Sequence, residues 1–128
     1  MPEYKNVLKL SADREALEFL WRIPITEDDA NITIFAYLDE GEVEVRFTCK
    51  KNGAAHPELR WMRLPGEGKC LTLGLVLHEI AHVLTHNDIG KDLKPHGPEY
   101  VKVLDSLVIS EMTYGRYDRK TGSLVVNL

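Results

Sequence analysis

Only two cysteines, Cys49 and Cys70, occur in the 128 residues, too few and too far apart for a disulfide framework or a paired-cysteine zinc knuckle. Reduced thiols packed as small apolar side chains are the expectation. No run approaches the roughly 18 apolar residues of a membrane span. The start, Met1-Pro2-Glu3-Tyr4-Lys5, lacks the hydrophobic segment of a secretory signal, so a soluble, cytoplasmic chain with no membrane partner is expected. Positive charge is scarce too. Sixteen basic against twenty acidic residues give a net charge of -4, which argues against gripping nucleic acid through bulk charge while leaving a local basic patch open. Repeats and low-complexity segments are missing. What is present is 44% hydrophobic residues, suited to one core and one domain over 1–128.

Along the chain, Ser11 is placed to cap a helix through about Arg22, with Leu17, Phe19, Leu20 and Trp21 as apolar cover and Pro24 ending it. Ile32 to Leu38 and Glu42 to Cys49 are rich in β-branched and aromatic residues around an Asp39-Glu40-Gly41 turn signal, which predicts a β-hairpin. In its second arm Val43, Val45 and Phe47 alternate with Glu42, Glu44 and Arg46, as on a sheet with one buried and one wet face. Leu59 to Leu64 reads as a further strand, broken by Pro65-Gly66-Glu67-Gly68. Its edge could pair with an extended substrate, or the strand is simply structural. From Leu71 to His86 apolar residues recur at helical spacing and spread to the other sides, which predicts a buried central helix stopped by Asn87-Asp88-Ile89-Gly90. Pro98 opens a further helix, with Tyr100, Val103, Leu104, Leu107 and Val108 on one face. Helical periodicity is lost after Met112, and Ser123 to Leu128 can add a short strand.

The chemistry concentrates in His78-Glu79-Ile80-Ala81-His82. Residues four apart lie on one helix face about 6 Å apart along the axis, so both imidazoles can reach one metal ion. Glu79, on the same turn, can then take a proton from water instead of joining the coordination shell. The alternative is a pair of core histidines. Two imidazoles and a carboxylate buried among Leu75, Val76, Leu77, Ile80, Ala81, Val83 and Leu84 would each cost about 1–3 kcal/mol without partners, and a metal supplies one.

A catalytic zinc site needs a third protein ligand and an open position. His86 continues the spacing but stands about 12 Å from His78 along the axis, too far for donors within about 2.1 Å of one ion. Asp88, six residues after His82, has Thr85 where compact metalloproteases carry glycine, and His56 has no patterned neighbours. His96 is the strongest candidate, because the Gly97-Pro98 step after it sets a turn that can aim its ring back at the helix.

The pairing of His78-Glu79-Ile80-Ala81-His82 with His96-Gly97-Pro98-Glu99-Tyr100 resembles the SprT-like, Spartan-type metallopeptidases, and also short metallohydrolases of actinobacteria and their phages. The resemblance covers about Leu71 to Val108. It implies a zincin-like α+β domain, a small mostly antiparallel sheet packed on a central metal-binding helix, with Zn2+ held by His78, His82 and His96 and Glu79 as general base. Hydrolysis of a protein or peptide substrate follows from it. Larger members add DNA-binding parts, often a cysteine-rich zinc ribbon, which two cysteines cannot form. Tyr100, Tyr114 or Tyr117 could stabilise the oxyanion, and Glu99 or Asp92 could orient a ligand histidine. The alternatives are a metal-stabilised binding or regulatory module without turnover, and a hydrolase of non-peptide bonds.

Overall fold

The computed structural model describes residues 14–68, 70–90 and 96–113, and for 114, 117–118 and 123–124 the backbone alone. Among the described residues two helices come first, α1 (Arg14–Trp21) and α2 (Glu27–Tyr37). Strands β1 (Glu44–Thr48), β2 (Ala54–His56) and β3 (Trp61–Pro65) follow, with a 3-10 turn at Pro57–Leu59 between the last two. The metal-motif helix α3 (Leu73–Leu84) runs into a π-turn at Thr85–Ile89, and α4 (Pro98–Tyr114) precedes a small hairpin of β4 (Tyr117–Asp118) and β5 (Ser123–Leu124). The class is α+β. Among the described residues no helix is long and apolar enough to cross a membrane.

Helix α2 replaces the expected first arm of a hairpin. β-Branched residues at 32–34 favour a strand by propensity, but Thr26 caps the N-terminus by accepting from the Asp29 amide, and Glu27, Asp28 and Asp29 fill the first turn. Ala30, Thr33 and Ile34 are the buried residues, a helical rather than an alternating spacing. Capping together with one-sided burial outweighs the local preference.

With that arm gone, the sheet is mixed rather than mostly antiparallel. Its order is β1-β3-β2, with β1 parallel and β2 antiparallel to β3. The strand expected at Leu59 to Leu64 is thus β3, which starts two residues later because Pro57–Leu59 forms the 3-10 turn and Arg60 takes a left-handed conformation (φ 60°). It is central, paired on both sides, and so cannot receive a substrate strand. Met62 and Leu64 point into the core beside Val45 and Phe47. On the opposite face Arg46 lies 4.3 Å over the Trp61 ring, and His56 packs on the other side of that residue's register at 4.4 Å between centroids. The alternation expected in β1 is therefore present, with its charges on the wet face.

Helix α3 is buried on nearly all sides, packing against α1, α2, α4 and β2. Thr72 caps it by accepting from the Leu75 amide. Its first turn is fixed to the α1–α2 linker, where Ile25 N–H donates to the Leu71 carbonyl and Leu73 N–H donates to the Ile23 carbonyl. Gly74 lets the helix meet α1 closely, since a β-carbon there would stand 2.6 Å from both N and Cα of Trp21. Alanine is worth about 1 kcal/mol more than glycine within a helix, yet overpacking against backbone costs about 1–3 kcal/mol. Gly74→Ala is therefore expected to destabilise the protein by about 1–2 kcal/mol, seen as a lower urea midpoint at unchanged m-value; an unchanged or higher midpoint would show that α1 yields freely.

Candidate metal centre

The helical spacing of α3 puts His78 and His82 on one face, with ring centroids 4.9 Å apart. The tight turn at His96-Gly97 before α4 brings the third ring back to them, 5.2 Å from His78 and 4.8 Å from His82 between centroids. Nε2 of His96 stands 3.1 Å from Nε2 of His82, a separation at which two nitrogens share a proton or face a common cation. The donor nitrogens of all three residues lie within 4.8 Å of one another. A metal held by imidazoles stands about 2.0–2.1 Å from each nitrogen, so small ring rotations bring the set onto one ion. His78 is buried, His82 half-buried and His96 exposed, which leaves the open side of the cluster toward solvent.

The other ligand candidates are elsewhere. His86 is bonded through Nδ1 to Asn87 Oδ1 at 2.9 Å. His56 belongs to the Trp61 face of the sheet and lies 3.7 Å from Glu58. Asp88 is exposed on the π-turn that ends the helix. Among the described residues, only His78, His82 and His96 form a cluster of metal-ligand type.

Glu79 is buried, with Oε1 3.4 Å from Nε2 of His78. Its carboxylate packs against the chain that enters β2. A β-carbon on Gly53 would stand 3.3 Å from Cγ and Oε2 of Glu79 and 3.1 Å from the Arg63 carbonyl. The glycine therefore makes room for the carboxylate, a role that sequence reading missed because the short strand after it, Ala54-Ala55-His56, carries no alternation signal. The strand alongside α3 is β2, one of the two edge strands, rather than β3.

Tyr100, one of three tyrosines considered as oxyanion donors, has its hydroxyl committed elsewhere. The oxygen is 2.7 Å from Nδ1 of His78 and 3.1 Å from the His78 carbonyl, and the residue is fully buried. Its ring stacks on His82 at 4.5 Å and meets His96 edge-on at 5.0 Å. Tyr100, not Glu99, thus holds the ring of a candidate ligand; Glu99 is half-buried in the first turn of α4. Asp92 and the side chains of Tyr114 and Tyr117 lie outside the described residues.

Burial keeps the imidazoles neutral, the form that binds a metal. Desolvation is the main cause at His78, whose pKa is held well below 6.5, with the nearby His82 and His96 adding to it. His82 is pushed down from 6.5 to about 4, again mainly by burial and then by His96, and His96 is lowered by burial. The donor set, its convergence and its neutrality fit one metal ion. Searches of protein families, curated proteins and solved structures found no match, so the reading of this site rests on its own geometry.

Two outcomes follow. Gly53→Ala is expected to displace the Glu79 carboxylate by a few tenths of an ångström while the three imidazoles stay in place; an unmoved carboxylate in a crystal structure of the variant would refute the packing role. A histidine whose folded pKa lies below its unfolded value takes up a proton more readily when unfolded. Stability of the metal-free protein should hold above about pH 6.5 and fall as the pH drops toward 4. His82 alone contributes on the order of 3 kcal/mol to that fall. Chemical denaturation across this window checks it, and a flat profile between pH 7 and 4 would mean that the rings are not buried in neutral form.

Proposed function

We propose that this chain is a zinc-dependent metallopeptidase of zincin-like architecture, in which His78, His82 and His96 hold the ion and Glu79 is the general base. The observation that carries the reading is the convergence of three neutral imidazoles from α3 and the start of α4, beside a buried carboxylate 3.4 Å from one donor nitrogen. A zinc ion supplies, when bound, a Lewis acid for a carbonyl oxygen and a lowered pKa for water. Glu79 lies on the same turn as the first ligand, where its carboxylate can accept the proton of the attacking water and return it to the leaving nitrogen. Gly53 fixes how far that carboxylate reaches.

Substrate alignment belongs, in this proposal, to β2. It is an edge strand beside α3, and an extended peptide added to such an edge is held by main-chain hydrogen bonds. The passage of backbone along β2 would carry a scissile carbonyl past Gly53 and Glu79. A protein or peptide is the substrate class that uses this feature, and the likeness of the two anchor motifs to SprT-like metallopeptidases points the same way.

Glu79→Gln separates turnover from metal binding. The zinc-loaded protein is expected to cleave members of a fluorogenic peptide panel. The variant should keep one zinc per chain while the rate falls by about 10²- to 10⁴-fold. A wild-type rate in the variant would remove Glu79 as base. Zinc binding with no cleavage of peptides, alongside an undiminished biological effect of the variant, would favour a metal-stabilised binding module.

A further inference from the structure

The hydroxyl of Tyr100 faces two groups of one residue, Nδ1 of His78 at 2.7 Å and the His78 backbone carbonyl at 3.1 Å. A phenol has one proton to give. The carbonyl can only accept, so if the phenol donated to Nδ1 the two oxygens would face each other at 3.1 Å with no hydrogen between them. One arrangement satisfies all three groups. Nδ1–H of His78 donates to the Tyr100 oxygen, and the Tyr100 hydroxyl donates to the carbonyl of His78.

This closed circuit has a consequence at the far side of the ring. In a neutral imidazole one nitrogen carries the proton and the other a lone pair. With the proton held on Nδ1, the lone pair of His78 sits on Nε2, the atom that is 3.4 Å from Glu79 Oε1. Both partners are buried, with Tyr100 at 0% and His78 at 2% exposure, so water does not compete for the bond. The same tyrosine ring stacks on His82 and meets His96 edge-on, and it stands in the first turn of α4, just after the His96-Gly97 turn.

We propose that Tyr100 is a positioning residue that selects the Nδ1–H tautomer of His78 and so presets Nε2 as a metal donor before any ion arrives. The idea deepens the metal-site reading and rests on it for its functional consequence, while its structural half concerns the metal-free chain alone.

The test pairs nitrogen NMR of the metal-free protein with zinc titration. Long-range ¹H–¹⁵N correlation spectra of the wild-type protein should show His78 with a protonated Nδ1 and an unprotonated Nε2. In Tyr100→Phe, which keeps the ring and its packing, the proton should move to Nε2, and affinity for Zn2+ in competition with a chromophoric chelator should fall roughly 10- to 100-fold. A wild-type His78 protonated at Nε2 overturns the proposal, and this measurement decides even if the variant does not fold. So does a variant that keeps the wild-type tautomer, or one that changes tautomer and keeps wild-type affinity. Should the wild-type protein bind no zinc at all, the metallopeptidase reading fails, while the tautomer measured without metal still decides the role of Tyr100.

Discussion

Everything in this structure depends on polar groups being held inside an apolar helix. Helix α3 buries His78 and Glu79 among leucine, valine and isoleucine side chains, and each such group costs about 1–3 kcal/mol if it is stripped of water without a partner. For the imidazoles and for Thr85 the protein meets that cost locally. Tyr100 takes the inner nitrogen of His78, Thr85 turns its hydroxyl to the Ala81 carbonyl, and His82 and His96 face each other through Nε2. What is left is a set of converging nitrogen donors that runs from buried at His78 to exposed at His96 and could hold a metal ion.

The rest of the fold holds that helix still. The linker between α1 and α2 bonds to the residues leading into α3, Gly74 admits α1 to backbone contact, and α4 packs along the side that bears Tyr100 and Leu104. The sheet adds the remaining wall. Its edge strand β2 enters beside α3 by way of Gly53, whose missing side chain is the space that the Glu79 carboxylate uses. The three histidines, the carboxylate and the sheet edge are thereby set against one another by packing, and the helix widens into a π-turn at Thr85–Ile89, after His82, a deformation found often at functional sites.

Where local sequence and tertiary packing disagreed, packing prevailed. The β-branched run in α2 reads as a strand until the Thr26 cap and the 30, 33, 34 burial spacing are weighed against it. That one change turned an expected hairpin into helix plus strand, and β1 then found a parallel partner in β3. The sheet edge beside α3 is accordingly β2 rather than the strand after Leu59. Ala54-Ala55-His56 is too short and too plain to be recognised as a strand, yet it is the one that lies against α3.

The sequence by itself determined the local chemistry of the site. A four-residue interval on a helix places two imidazoles on one face whatever surrounds them, and the glycine-proline step after His96 forces a turn there. The burial of α3 and the start of α4 were legible for the same reason, being properties of a few consecutive residues, whereas the Thr26 and Thr72 caps were not read. Only the tertiary structure decided which distant groups meet them: that His96 rather than His86, His56 or Asp88 closes the cluster, that Tyr100 serves His78 instead of a substrate, and that Gly53 faces Glu79. Those contacts join residues 14 to 26 positions apart, and no spacing rule reaches across loops whose path is set by how helices and sheet pack.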